Sequence, residues 1–458
     1  MDAIDQVTPE LVQRYDRSGP RYTSYPPVPA WTAPFGEREY LDAIADIATH
    51  RERPLSLYVH LPFCAKRCFY CGCNATVTNR GEVVDAYLDR VERELDLVLS
   101  ALDRRHPVVQ MHWGGGTPNF LDAKQMVRLT RMLEDGFEFA PDAERSIELD
   151  PRLVTSDQLG ALRSLAFNRV SLGVQDLDPE VQFAIGRVQS LGLVADVVEE
   201  VRSLGFESLN LDIIYGLPKQ NLPRFRAMLE TILELAPDRL AAFGYAHLPQ
   251  LRANQRQIRE ADLPSGYAKF QLFETLVQAF TAAGYQWIGL DHFARPEDEM
   301  AVAAREKRLH RNFMGYTIQP TADLLGIGTS AIGDIAGRFI QLDPGLGAYQ
   351  RTVDAGRIPV VKGHILTADD KARRSAILHL MCNLELPFNL LLEGGELLGD
   401  YLGEELQRFK PYAEAGLIEM ESDRIVVTNI GRFFLRNLCM ELDAYLPHAV
   451  GRVYSRTV

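Results

Sequence analysis

The chain lacks any uninterrupted apolar run that approaches the roughly 20 residues a membrane-spanning helix needs. Membrane insertion is therefore not expected. A secretory leader is not expected either, because the start, Met1-Asp-Ala-Ile-Asp5, is acidic and lacks an apolar segment. A cytoplasmic setting is expected. Positive charge is not in excess: the net charge is −13 and the pI about 5.4. That balance argues against bulk electrostatic binding of nucleic acid or anionic lipid. A substrate bearing several carboxylates would need a local basic pocket within this acidic surface. Cysteine is scarce, with six in 458 residues, and four of these crowd between Cys64 and Cys73. Such a distribution is no disulfide framework. Cys382 and Cys439 stand far off in apolar helical contexts and read as core.

What is present is organised around the four crowded cysteines. Leu55-Ser-Leu-Tyr-Val-His-Leu61 alternates like a strand, and Pro62 stops it. The loop Cys64-x3-Cys68-x2-Cys71-x-Cys73 follows, at a strand end where α/β folds build active sites. Thiolates suit zinc or iron–sulfur clusters, and both readings stand at this point. Structural zinc usually draws on two separated ligand pairs, and no second Cys/His pair follows. Three thiolates on one short loop can instead hold three corners of a [4Fe-4S] cubane, leaving one iron open. Unliganded redox thiols are the poorer reading.

Residues 1–35 form an arm, with Gly and Pro enough to exclude a long helix and with Arg21 available for a carboxylate. Apolar or alternating segments at Val108–Trp113, Ser146–Leu149, Arg169–Val174, Ser208–Ile214 and Leu240–Tyr245 alternate with helical stretches. Six strand-then-helix repeats predict a parallel sheet with right-handed crossovers, here a partial (β/α)6 barrel open on one side. Polar residues collect after the strands: Gly114-Gly-Gly-Thr-Pro118, Glu148 and Asp150, Gln175 and Asp176, Asp212, then Tyr245-Ala-His247. The triple glycine lacks a following Lys-Ser/Thr and is no P-loop; its bare backbone can approach a ligand closely. Glu148 and Asp212, on strands buried on both faces, need partners. Arg187 has a weaker case and reads equally as a surface charge. Between Tyr285 and Gly333 the pattern is too irregular for helices, and its glycines read as backbone near a ligand. The expected divisions are an arm (1–35), a catalytic domain with extension (36–350) and a mainly helical, winged-helix-like domain (365–458). In the last, Gly416–Val427 reads as a hairpin and Thr428 as a helix cap; its acidic residues disfavour DNA binding.

The cysteine spacing, with Tyr70 before Cys71, and the Gly-Gly-Thr-Pro turn resemble the radical S-adenosylmethionine (SAM) superfamily. Within it, Gly19-Pro-Arg-Tyr-Thr-Ser-Tyr-Pro26, the fourth Cys73, His112-Trp-Gly-Gly-Gly-Thr-Pro118, Glu148-Leu-Asp-Pro151, Gly173-Val-Gln-Asp176, Asp212–Lys219, Tyr245–Pro249, Asp291–Ala294 and His310-Arg-Asn-Phe313 resemble the oxygen-independent coproporphyrinogen III oxidase family. The resemblance implies a haem-pathway oxidoreductase that converts two propionates of coproporphyrinogen III to vinyls by radical chemistry. It implies Cys64, Cys68 and Cys71 as ligands of a [4Fe-4S] cluster, and two SAM molecules. Tyr58, Gly115, Glu148 and Ile332 would meet the cluster-bound SAM; Tyr70, Gly116, Thr117, Gln175, Arg187, Asp212 and Ala246 would meet the second. Tyr58, His60 and Glu148 are the catalytic candidates, and Arg21, Tyr22, Arg311 and Cys73 the substrate candidates; Cys73 is alternatively a loop-shaping residue or a bystander. An electron donor such as flavodoxin or ferredoxin, and a monomer, are expected. At Met314 the family more often has Gln, and at Pro27 Thr. Haem chaperones or haem-degrading methyltransferases of the superfamily are the alternative within it, although the chaperones lack both the arm motif and the fourth cysteine. A zinc-binding module is the alternative from another class.

Overall fold

The computed structural model describes residues 7–31, 33–102, 105–264, 266–319, 322–448 and 454–457. The acidic start, the other early residues of the expected arm and part of the expected C-terminal region lie outside them.

Six strands, β1 (Leu55–Leu61), β2 (Pro107–Gly115), β3 (Glu138–Leu149), β4 (Arg169–Gln175), β5 (Ser208–Tyr215) and β6 (Arg239–Gly244), pair in parallel in chain order. Parallel neighbours cannot be joined by tight turns, and helices provide the returns: α1 (Gly81–Leu102), α2 (Ala123–Gly136), α3 (Ser156–Ser164), α4 (Leu191–Ser203) and α5 (Leu222–Leu235). In α1 the residues Val84, Tyr87, Leu88, Val91, Leu95 and Val98 recur at helical spacing and are all buried. Burying each such side chain contributes about 1.5–3 kcal/mol. Short polar side chains close the helix starts, as at Asp122 and Thr155, whose oxygens accept from Gln125 N and Gln158 N.

The irregular segment between Tyr285 and Gly333, expected to hold no helix, contains a short one, Glu299–Arg305, started by the Asp298 cap on Met300 N, and is otherwise largely strand. It supplies the sheet's flanks. β7 (Gln286–Gly289) and β8 (His292–Ala294) extend the sheet antiparallel beyond β6. On the other side β9 (Asp323–Ile327) pairs in parallel with β1, followed by antiparallel β10 (Ile332–Ile335), β11 (Arg338–Leu342) and β12 (Val360–Ile365). The full order is β12–β11–β10–β9–β1–β2–β3–β4–β5–β6–β8–β7, twelve strands in one sheet. Glycines of Gly326–Gly333 therefore serve strand-to-strand packing: a Cβ at Gly326 would meet the Ile332 backbone at 2.9 Å.

Beyond the sheet, α6 (Tyr267–Ala282) packs against α5 and β7, and α7 (Ala368–Asn383) packs against Glu385–Pro387, a strand of a small three-stranded sheet that contains the expected hairpin, Ile418–Met420 with Arg424–Val427. Thr428 Oγ1 accepts from Gly431 N at 3.1 Å and opens a 3-10 turn that leads into α8 (Leu435–Met440). Phe433 packs on Phe270 and Trp287, with ring centroids 5.2 and 5.0 Å apart, so this region and the barrel share one hydrophobic core. The arm begins with a short helix, Pro9–Tyr15. It stacks Tyr15 on Tyr412 at 5.0 Å, crosses the open end of the sheet, and lays Trp31 flat on Phe339 of β11 at 5.1 Å. Among the described residues no helix is long and apolar enough to cross a membrane.

Candidate active site

The cysteine loop is closed at its base and clamped at its tip. At the base, Phe63–Cys64 pairs with Thr76–Val77, and Thr76 N donates to Pro62 O. At the tip, Asn254 Nδ2 lies 3.1, 3.0 and 2.9 Å from the carbonyl oxygens of Cys68, Phe69 and Cys71. Gln255 Nε2 donates to Tyr70 O at 2.8 Å and is 3.1 Å from Ala246 O. These two neutral amides follow β6. Sequence reasoning missed them, and their only signal was their place after a strand's carboxyl end.

Cys64, Cys68, Cys71 and Cys73 all face one cleft of about 630 Å³. Cys64 Sγ is 3.3 Å from Thr117 Oγ1. Arg152 and Arg187 approach Cys68 Sγ at 3.9 and 3.8 Å. The Cys73 contact holds the Cys71 thiol down at about 6 despite burial, whereas burial pushes the Cys64 thiol up. Arg187, far from being a surface charge, is buried and donates to Asp150 Oδ2 at 3.0 Å and Gly173 O at 2.5 Å. Asp150 is held below the usual carboxylate range by Arg152 and Arg187, against the opposing effect of burial.

Two glycines bring backbone to the cysteine loop. Gly115 sits at φ +119°, and a Cβ there would meet the His60 ring at 2.8 Å. At Gly116 a Cβ would collide with the Pro62 and Phe63 backbone at 2.7 Å. Side chains are excluded from this turn so that its peptide groups can form the cleft wall.

Beside the cleft lies a second cavity of about 290 Å³, lined by Tyr58, His60, Gly115, Glu148, Met314 and Ile332 among others. Gly115, Glu148 and Cys73 belong to both walls. Tyr58 and His60 share a strand face and form a chain: His60 Nε2 is 2.9 Å from Asn74 O, and His60 Nδ1 is 3.0 Å from Tyr58 OH. A carbonyl only accepts, so Nε2 carries the proton and Nδ1 accepts from the phenol. Burial lowers the His60 pKa, which keeps this ring neutral. Glu148 accepts from Gly115 N at 3.3 Å and lies 3.3 Å from His112 Nε2. On the larger cleft's wall, Asp212 accepts from Ser171 Oγ and Asn210 Nδ2 at 3.0 and 2.7 Å. Burial, reinforced by Glu148, pushes its carboxyl up to about 7.

The remaining candidates separate. Tyr70, Gly116, Thr117, Gln175, Arg187, Asp212 and Ala246 line the larger cleft, as does Arg21, which reaches it from the arm and pairs with Asp291. Tyr22 is buried away from both cavities and donates to Asp443 at 3.0 Å. Arg311 is likewise buried, 4.7 Å over the Tyr316 ring, and is absent from both walls. Met314 faces Tyr58 and Ile332 in the smaller cavity instead of the larger cleft. Neither residue's long-range packing is visible in local sequence.

A parallel (β/α)6 sheet, a three-cysteine loop after its first strand and a glycine turn after its second define a radical SAM enzyme. The Radical SAM superfamily model matches residues 58–232. Curated relatives include oxygen-independent coproporphyrinogen III oxidases of Salmonella typhimurium, 46% identical over 95% of both chains, and of Synechocystis sp., 39% identical over 99% of this chain and 98% of the relative. Among solved structures, coproporphyrinogen III oxidase (HemN) from Escherichia coli aligns with a TM-score of 0.88 at 44% identity, covering 93% of this chain and 98% of that one. The chain belongs to the oxygen-independent coproporphyrinogen III oxidase family. Membership carries SAM and a [4Fe-4S] cluster with it, and it overturns the zinc-module alternative. The soft donor set of the loop, converging on a cleft walled by bare glycine backbone, fits both groups.

Proposed function

We propose that this chain catalyses the oxygen-independent oxidative decarboxylation of two propionates of coproporphyrinogen III to vinyl groups, giving protoporphyrinogen IX. The observation that carries this reading is similarity to coproporphyrinogen III oxidases along nearly the whole chain. In this proposal Cys64, Cys68 and Cys71 hold the cluster and leave one iron for SAM, while Cys73 stands between the two cavities. Tyr58, Gly115, Glu148 and Ile332, which share the smaller cavity, hold the cluster-bound SAM. Tyr70, Gly116, Thr117, Gln175, Arg187, Asp212 and Ala246 hold a second SAM in the larger cleft.

When bound, cluster and SAM would supply the hydrogen-abstracting radical chemistry that an oxidative decarboxylation of a propionate needs, with CO2 released and one electron passed to an acceptor. The protein's own part is orientation. His60 fixes the Tyr58 hydroxyl, Glu148 offers an acceptor between the cavities, and Arg21 presents its fork to a propionate. Tyr22 and Arg311 act from behind, the first anchoring the arm and the second lowering the pKa of Asp291. A flavodoxin or ferredoxin donor, a monomeric state and a cytoplasmic location without nucleic-acid or membrane binding complete the reading. The test is anaerobic incubation of reconstituted protein with SAM, reductant and coproporphyrinogen III. Protoporphyrinogen IX, methionine and 5′-deoxyadenosine are the expected products. Methionine without any vinyl product would retire the substrate assignment.

A further inference from the structure

An acidic protein that handles a polycarboxylate needs a place where the sign of its surface reverses. That place lies behind Arg21. Next to the larger cleft, and sharing Arg21, Gly244 and Tyr245 with its wall, is a small cavity of about 50 Å³. Five cationic side chains line it, Arg21, Lys269, Arg432, Arg436 and Arg456, against one carboxylate, Asp291. Asp291 is already engaged by Arg21 and by His292, the latter at 3.0 Å.

The cations are not equivalent. Arg436 spends its guanidinium on backbone, donating to Pro20 O at 3.0 Å and Arg456 O at 2.7 Å, and so positions arm and tail. Arg456 is bridged to Asp16 at 2.5 Å, and Asp16 also attracts Lys269. Arg432 differs. Its guanidinium lies 4.1 Å over the Trp287 ring and donates to Trp287 O, yet its Nε is buried with no hydrogen-bond partner among the described residues. A buried donor left unmatched is costly, and gathering like charges adds repulsion. Burial, together with Arg436, Arg21 and Arg456, lowers the Lys269 pKa to about 8 despite the attraction of Asp16. Such an arrangement is relieved by an incoming anion.

We propose that the cavity framed by Arg432, Lys269 and Arg21 is a carboxylate subsite that takes an unreacted propionate of the porphyrinogen. The proposal rests on the substrate reading above. The cavity's size suits a carboxylate and not a pyrrole ring, so the macrocycle stays outside it while one side arm is gripped across the Arg21–Tyr245 wall. Anchoring there sets which propionates face the cysteine loop.

The test measures binding of coproporphyrin III, a stable porphyrin bearing the same propionates, to anaerobically reconstituted holoenzyme by fluorescence. Wild type is compared with Arg432→Gln, Arg432→Lys and Lys269→Gln. Porphyrin affinity is expected to fall at least about tenfold in each Gln variant, with Arg432→Lys between Arg432→Gln and wild type. The KM for coproporphyrinogen III should rise in parallel, while methionine release from SAM without porphyrinogen stays within about twofold of wild type. Unchanged porphyrin affinity in both Gln variants overturns the subsite, as does an equal loss of SAM cleavage and porphyrin affinity in both. Wild-type turnover is scored separately, so a failed subsite is distinct from a failed substrate assignment.

Discussion

Two aspartates at the same end of the sheet, Asp212 half-buried and Asp291 buried, are pushed in opposite directions. Asp212, on β5, has only hydroxyl and amide partners, and burial together with Glu148 pushes its carboxyl up to about 7. Asp291, between β7 and β8, is more deeply enclosed, yet Arg21, His292 and Arg311 overcome burial and hold it well below the usual range. The same contrast runs through their surroundings. The carbonyls at the tip of the cysteine loop are held by neutral amides, Asn254 and Gln255, whereas the mouth is held by full charges, Arg21 on Asp291 and Arg456 on Asp16. Neutral clamps keep geometry constant across salt and pH, which suits a cluster loop. Charged contacts make the mouth responsive to its anionic cargo.

The comparison can be broken most severely at the thiols. Cys64→Ser, Cys68→Ser or Cys71→Ser should each abolish SAM cleavage and strip most iron, while Cys73→Ser keeps much of it; iron and sulfide analysis of anaerobic protein decides, and equal loss from all four sinks the triad assignment. Deleting residues 1–35 should lower porphyrinogen turnover by roughly a hundredfold, through lost positioning, while iron content stays near wild type. Unchanged turnover would mean that the arm does not serve the site.

The aspartates sharpen the contrast through pH. Asp212 has a folded pKa of about 7 against an ordinary 3.8. Its contribution to stability is therefore fully present below about pH 4 and lost as pH rises through 7. Asp212→Asn should flatten this dependence and raise thermal stability at pH 8, by on the order of 3 kcal/mol, even as activity falls. A pH–Tm profile parallel to wild type would refute the protonated reading. Asp291 works in reverse: its contribution is present above about pH 4 and is lost as pH falls. Smaller again, Asn254→Ala leaves three loop carbonyls without their amide and should cost about 1–3 kcal/mol, read as faster iron release to a chelator. Smallest, Arg17→Gln removes an ion pair with Glu441 in which Arg17 is 45% exposed, and should change stability by less than about 1 kcal/mol.

The barrel was legible where alternation was uninterrupted. β1 matches its expected range residue for residue, because both faces of the strand are buried and its neighbours impose the register. For β3 only Ser146–Leu149 could be read from a strand that begins at Glu138; the leading half is exposed and carries charges and Pro141, so composition hid it. The cysteine loop and glycine turn were visible because their chemistry is local. Asn254, Arg432 and Lys269 were not, since each derives its role from a carbonyl, a ring or a neighbouring charge distant in sequence. Arg311 and Tyr22 show the converse, since the structure places neither on the walls of the two cavities. Their motifs sit close to functional residues in the chain, but the fold turns them into packing.

The ends of the described chain are stitched together where the cleft opens. Gly19 N donates to Ser455 O at 3.1 Å and Thr457 N to Arg17 O at 2.8 Å, with Arg436 bonded to both segments. During synthesis the cysteine loop and every barrel strand leave the ribosome long before Ser455 does. Once its strands are made, the barrel thus stands unroofed until the last residues emerge, a window in which iron and sulfide can be delivered before the doorway is fastened. Extensions fused near residue 457 should disturb the seating of Arg21 more than the assembly of the cluster.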